Sequence, residues 1–380
     1  MRRNTIKSII LIFVLLLCLT FIFTPRTEVI DTARTDDLPA PTSTTITLLV
    51  TGDILMHNTV IASGLSEGKY DFNGFFAPIK SIVSSADYAM INLESALAGP
   101  ATGYTGYPLF NAPDSIAAAI KNAGFDLVTT ANNHILDRGY NGAMRTLDVL
   151  RQNGLDTIGT YKSQQEKNHL LIKNIHGVKV GFLAYGYDTN GIPLPPDKPY
   201  FYNLLNEDNI MADIAAMRPQ VDLLVLYLHW GVEYSPFPAE KQVELAHKFF
   251  VQGADVIIGG HPHVLQPADI ETINGSKKFV VYSMGNSIGD QHGVARNSGV
   301  IIKLTFTKNF SSGKTELKAF DYTPTFSSSY KRDGREKFRI ISVPETLQKI
   351  KAGKEPYLLS DSIPLLENIL KDCNEKMGNV

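Results

Sequence analysis

From residue 46 onward, short apolar runs alternate with segments of helical period. The runs 46–50, 88–93, 127–130, 223–228 and 256–258 are rich in Val, Ile and Leu. Continuous apolar runs of this length, bounded by polar residues, predict strands buried on both faces of a parallel sheet. Between them, 75–84, 114–124, 141–152, 207–217 and 239–252 predict helices, the second opened by Asp114 as N-cap and closed by Gly124. Two apolar segments around His176 and Gly177 predict a hairpin. Pro193, Pro195, Pro196 and Pro199 then crowd a loop that cannot be regular structure. Beyond His263 the alternation stops. Segments 269–273, 279–283, 300–307 and 317–322 read as strands joined without helices, which predicts a second, largely antiparallel sheet packed on the first. The chain from about 343 reads as helical and peripheral.

The ends of the early strands share a design. Asp87, Asp126, Asp222 and Asp255 each precede an apolar run, and the runs deliver Glu94, Asn132–Asn133–His134, His229, and His261 with His263. A further run ends in Asp53, with His57 soon after. The carboxyl edge of such strands is where α/β sheets place their sites. Carboxylate, carboxamide and imidazole gathered at one rim suggest a two-metal hydrolytic centre. Taken singly, each cluster has an ordinary reading. His261 and His263 fit a polar turn, Glu94 a salt-bridged rim residue, His57 a core histidine and Trp230 a packing residue. Their repetition at strand ends favours the metal.

Length and charge narrow the field. The chain has 380 residues, 36 Lys and Arg against 38 Asp and Glu, and a formal charge of −2. That balance, without a long basic block, argues against nucleic acid as a partner. Its two cysteines, Cys18 and Cys373, can build neither a thiolate metal site nor an expected disulfide. Arg2, Arg3 and Lys7 precede an apolar run over 9–23. This predicts a cytoplasmic stub (1–8), an uncleaved single-pass anchor (9–24) and a cell-membrane location with the rest outside the cytoplasm. A cleaved signal peptide is the alternative; a lipid-attachment reading at Cys18 is disfavoured by Leu17 before it. Residues 25–44, rich in Thr, Pro, Asp and Ala, read as a flexible tether.

The motifs together resemble a known family. Gly52–Asp53, Asn92–Leu93–Glu94, Asn132–Asn133–His134 with Asp137 and Gly139, His229–Trp230–Gly231 with Glu233, Gly260–His261–Pro262–His263, and Tyr282–Ser283 with Gly285–Asn286 stand in the order of the CapA family. That family is associated with poly-γ-glutamate capsule synthesis and has the calcineurin-like metallophosphoesterase fold. The resemblance covers about 45–343 and leaves 344–380 as a C-terminal helical extension. It implies a four-layer αββα sandwich and two divalent ions (Mn, Fe or Zn). Asp53, Glu94, Asn133, His229, His261 and His263 would be the ligands, and His57 a further candidate. His134 would be the acid over the leaving group, with Asp137 to orient it. Asn132, Glu233 and Asn286 would meet substrate. Where the wider fold has a His two residues after its first Asp, this chain has Leu55.

Three roles follow from the resemblance. The first is a metal-dependent phosphoesterase acting in the biosynthesis or export of an anionic surface polymer. The second is a non-catalytic, polymer-binding subunit of a complex with membrane synthetase subunits. The third is a scaffold that has lost activity.

Overall fold

The structure, a computed structural model, describes residues 41–378. The predicted stub and anchor lie outside these residues, as does most of the tether. Among the described residues no helix is long and apolar enough to cross a membrane. Ser43 and Thr44, read from the sequence as part of the tether, already belong to β1 (Ser43–Ile54).

After β1 come α1 (Asn58–Gly64), a small hairpin of β2 (Leu65–Ser66) and β3 (Lys69–Tyr70), and two single turns, α2 (Asn73–Phe76) and α3 (Lys80–Val83). The sequence reads one helix over 75–84. Pro78 divides it, since proline cannot supply the N–H that would carry the helix through. The chain continues through β4 (Tyr88–Leu93), α4 (Ser115–Ala123), β5 (Leu127–Thr129), α5 (Gly139–Gln152), β6 (Asp156–Ile158) and α6 (Gln164–Asn168). Asp114 does not cap α4; its carboxylate takes both terminal nitrogens of Arg145 at 2.7 Å instead. The hairpin β7 (Leu171–Ile175) and β8 (Val178–Gly186) turns at His176–Gly177, as the sequence predicts. There follow α7 (Glu207–Met217), β9 (Leu223–His229), α8 (Glu240–Gln252), β10 (Val256–Gly260), β11 (Ala268–Ile273) and β12 (Ser276–Val281). The last elements are β13 (Asn286–Ile288), β14 (Ser298–Asn309), β15 (Thr315–Arg332), β16 (Arg335–Ser342), α9 (Val343–Lys351) and α10 (Ile363–Met377).

The sheets are partitioned differently from the sequence expectation. One runs β16-β15-β14-β1-β4-β5-β6, with β13 beside the end of β1; the other runs β11-β12-β10-β9-β8-β7. The parallel strands therefore do not share one sheet, and the late strands do not form their own. Each sheet has a parallel core, and the late strands extend both. Apolar runs record burial but not which neighbour covers them, so this division was not readable from periodicity.

Three apolar layers fix the order of the sandwich. Leu48 and Val50 of β1 meet Val225 and Tyr227 of β9 and Ile258 of β10 between the sheets. Leu49 points the other way, with Ile91 and Val128, under Phe76, Ile120 and Leu150 of the first helical layer. Leu224, Leu226 and Ile257 lie under Ile214, Phe249 and Phe250 of the second. The period of two along β1 and β9 serves both faces, and each fully buried side chain of this kind contributes roughly 1.5–3 kcal/mol. The C-terminal helices are less peripheral than expected. Cys373, a free thiol, and Met377 of α10 are buried in the core between the sheets.

Register carries the strand ends to one level. Asp53 lies opposite Asn92 of β4 and Asn286 of β13. His229 lies opposite Gly186 of β8 and Gly260 of β10. The two rims meet at Gly260, where an added Cβ would stand 2.3 Å from Tyr227 Oη and 2.9 Å from Asp53 Oδ1.

Candidate metal centre

Both sheets contribute to one buried cluster. Glu94, Asp53 and His229 are fully buried, and His261, His263 and Asn133 nearly so. Their ligand atoms form overlapping groups: Glu94 with His229 and His261, and Asp53 with Glu94 and His263, the atoms of each group within 4.8 Å of one another. Glu94 belongs to both, and the two histidines of the His-Pro-His turn are divided between them. A third group joins His261 and His263 to Glu233, which the sequence reading placed on the substrate side. His57 joins none of these groups among the described residues; its Nδ1 accepts the Asp290 N–H at 3.1 Å.

The hydrogen bonds leave a set of lone pairs without donors. Both Glu94 oxygens and His261 Nδ1 are buried with no hydrogen-bond partner among the described residues. Tyr227 Oη stands 3.2 Å from both Asp53 Oδ1 and His229 Nδ1. A hydroxyl has one proton. Given to the carboxylate, it leaves the oxygen to accept from His229 Nδ1–H. His229 Nε2 then turns a lone pair toward Asn133 Oδ1 at 2.8 Å and Glu94 Oε1 at 3.4 Å. Buried acceptors facing each other repel and are costly to bury. A divalent cation satisfies them together, so this donor set fits a metal.

Protonation follows from burial. Desolvation pushes the Glu94 carboxyl up to about 8, and the neighbouring Asp53 charge adds to this. Desolvation pulls His229 down to about 4. It drives His261 well below the usual imidazole range, with His229 and His263 nearby in support. Neutral imidazole is the form that ligates metal.

Second contacts hold the ligands in place. Asn92 Nδ2 donates to Asp53 Oδ1 at 2.8 Å, and His261 N donates to Asp53 Oδ2 at 3.1 Å. Asn286 spends its Nδ2 on Arg296 O and Gln291 Oε1, so Oδ1 faces His263 Nδ1 at 3.0 Å. Asn286 thus positions His263. The Asn132 amide bonds Asn92, Leu93 O and the His134 N–H. Its polar atoms fix the turn that presents Asn133 and His134.

His134 and Asp137 meet as a pair. His134 Nδ1 lies 2.8 Å from Asp137 Oδ2, which also accepts the Phe110 N–H at 2.7 Å. A carboxylate on Nδ1 fixes the tautomer and frees Nε2 for proton exchange. The Phe110 ring packs edge-on, 4.7 Å from the imidazole. Trp230 is a packing residue stacked on Tyr282.

Backbone strain gathers here. Glu67, His176, Asn274 and Asp333 have positive φ, each before a glycine in a hairpin turn. Asn190, also before a glycine, sits over the site, its Oδ1 accepting from Asn133 Nδ2 at 3.0 Å. The remaining positive-φ non-glycines are Tyr234 (66°), His261 (95°) and His263 (57°), all at the rim. Such conformations cost about 1–3 kcal/mol each and persist where the surroundings enforce them.

The sequence reading missed Tyr227 and Asn190. Tyr227 had a signal: two residues before His229 on a strand, it must share that histidine's face. Asn190 lies in an irregular loop and had none.

Comparison with known proteins places these features. Residues 47–291 match the family model described as bacterial capsule synthesis protein PGA_cap. The chain is 27% identical over 358 residues to the PGA biosynthesis protein CapA of Bacillus subtilis, covering 90% of this chain and 86% of that one. It is 26% identical over 275 residues to the capsule biosynthesis protein CapA of Bacillus anthracis, covering 70% of this chain and 64% of that one. Among solved structures, a Staphylococcus aureus chain assigned as a 5′-nucleotidase, in complex with alpha-ketoglutarate, superimposes with TM-score 0.50 at 15% identity. The match covers 76% of this chain and 56% of that longer one, and what is shared is the fold.

Proposed function

The chain belongs to the bacterial capsule synthesis protein family PGA_cap, and from that membership we propose that it acts in making or exporting poly-γ-glutamate or a related anionic surface polymer, through a two-cation centre suited to phosphoester hydrolysis. The observation that carries this reading is Glu94, fully buried, with both oxygens unpartnered and shared by two ligand groups. Asp53, Asn133, His229, His261 and His263 would complete the centre. Mixed oxygen and imidazole donors suit Mn, Fe or Zn better than Ca or Mg. Such a cation pair supplies hydroxide at neutral pH and screens charge on the phosphoryl oxygens.

The chain's own groups do the rest. Asp137 accepts from His134 Nδ1–H and supports an imidazolium, from which His134 Nε2–H would pass its proton to a departing oxygen. Tyr187 and Tyr234 edge the site, and their hydroxyls are pushed up to about 12 by burial and by the Glu233 charge. Both stay protonated at neutral pH; the Tyr234 hydroxyl is hydrogen-bonded to Glu233, and the Tyr187 hydroxyl would donate to an anion. Asn92, Tyr227 and Asn286 keep the ligands aimed.

The working place of this centre is the outer face of the membrane, with residues 9–24 as anchor. The basic flank of Arg2, Arg3 and Lys7 supports that orientation. One observation favours the second, non-catalytic reading: Leu55, buried at 2% exposure, offers no ligand where the wider fold has one. A centre short of a ligand could grip carboxylates without hydrolysing esters. Turnover of a generic phosphodiester and monoester by the metal-loaded chain decides between them. The enzymatic reading expects turnover that His263→Ala abolishes. Loading without turnover, together with polymer loss in cells carrying His263→Ala, leaves the binding role. Turnover unaffected by His263→Ala contradicts this site.

A further inference from the structure

Among the described residues Arg296, at the rim, has no acceptor for the donors of its guanidinium. It lies in the single turn Ala295–Asn297 between β13 and β14. Its guanidinium carbon sits 3.6 Å from the centre of the Tyr234 ring, and that ring lies 6.2 Å from the His263 ring. Among the described residues no carboxylate pairs with it. Arg138, by contrast, spends its N–H groups on the carbonyls of Phe110 and Leu109.

The position of Arg296 is fixed from two sides. Its carbonyl accepts Asn286 Nδ2 at 2.6 Å, and the same amide holds His263. Its guanidinium rests on Tyr234, whose left-handed backbone is pinned by its N–H to Pro262 O at 2.8 Å. Loop and ring are thus both tied to the His261–Pro262–His263 turn. A guanidinium stacked on an aromatic face keeps its planar fork of donors free and oriented for a carboxylate or phosphate.

We propose that Arg296, laid on Tyr234, is a second anion subsite, so that the substrate carries at least two negative groups, one for the Glu94 cluster and one, carboxylate or phosphate, for the guanidinium. A singly charged ester would use only the first. The assignment of the second group to a carboxylate of the polymer rests on the function proposed above; the subsite itself does not.

The test is isothermal titration of the manganese-loaded full chain with inorganic phosphate, tripolyphosphate and a γ-linked glutamate pentamer. The wild type is expected to bind tripolyphosphate more tightly than phosphate. Arg296→Gln is expected to lower the ratio of those affinities by about tenfold or more, since a bidentate charge-assisted contact is lost. Arg296→Lys recovers only part, because a point charge lacks the fork, and Tyr234→Leu acts in the same direction. A ratio that does not move in Arg296→Gln overturns the subsite. So does an equal loss for both probes with falling metal content, which would make Arg296 a prop for His263. A wild type that does not prefer tripolyphosphate overturns it as well. If tripolyphosphate depends on Arg296 while the pentamer does not bind, the subsite stands and the polymer reading fails.

Discussion

At the amino ends of four parallel strands, Asp87, Asp126, Asp222 and Asp255 each accept a backbone N–H from the strand alongside, from Thr47, Ala89, Lys179 and Leu224 at 2.7–3.1 Å. Each also has a basic partner: His176, Lys121, Lys308, and Arg218 with Lys278. At the carboxyl ends, Asp53, Glu94 and three histidines are buried more deeply, with acceptors facing acceptors. Similar residue types thus lie at both ends of the same strands. One end satisfies every carboxylate and locks strand register. The other leaves lone pairs bare and concentrates left-handed backbone. The difference separates a structural end from a chemical one, since groups left unsatisfied by the fold are the groups available to a ligand.

The two ends of the strands should respond to mutation in opposite ways. Glu94→Gln is expected to drop bound metal to at most one ion per chain by elemental analysis, and to abolish any ester turnover. The same change should raise the melting temperature of the chelated protein, because a buried ionisable group is removed. Asp255→Ala should do the reverse. It leaves Arg218, Lys278 and the Leu224 N–H unpaired and costs about 3 kcal/mol in denaturant titration, with metal per folded chain unchanged. A destabilised Glu94→Gln, or a metal-deficient but fully stable Asp255→Ala, would erase the distinction.

Next in size is the hydroxyl that bridges Asp53 and His229. Tyr227→Phe keeps the ring in the core and removes one oxygen, and metal affinity should fall about 10–100-fold, as for other supporting hydrogen bonds. Competition against a chelator measures it. An unchanged affinity would mean that the His229 orientation comes from packing alone.

The smallest effect is in pH dependence. Glu94, pushed from 4.5 to about 8, keeps in the folded state a proton that the unfolded chain has released, so stability falls as pH rises between those values. His229, lowered from 6.5 to about 4, works in the opposite sense within that lower window and stops contributing above 6.5. Between pH 6.5 and 8 the Glu94 effect is unopposed. The chelated protein should therefore lose melting temperature across that interval. The metal-loaded protein should not, since ligated Glu94 is already ionised. A flat profile for chelated protein would show that Glu94 is better solvated than its burial indicates.

Much of this division was legible in the chain. The apolar runs gave the strands, and repeated polar residues at their ends gave Asp53, Glu94, Asn133, His229, His261 and His263 as a set. The role of Asp87, Asp126, Asp222 and Asp255 was not legible, because a residue before a strand does not reveal the neighbour whose N–H it will meet. For the same reason the runs could not be sorted into two sheets. Asn132 and Asn286 carry groups suited to substrate, and the fold also uses both in positioning. Only the partner atoms, supplied by register across β1, β4 and β13, distinguish the two uses. Arg296 and Asn190 sit in loops whose placement is set by contacts far away in sequence.

If Glu94 joins two cation sites, ions counted in place will lie on either side of it. An anomalous-scattering map of crystals grown with manganese should show two peaks per chain, both beside Glu94, one toward His229 and His261 and the other toward Asp53 and His263. A map with no peak at Glu94, or with ions bound only elsewhere on the chain, would contradict it.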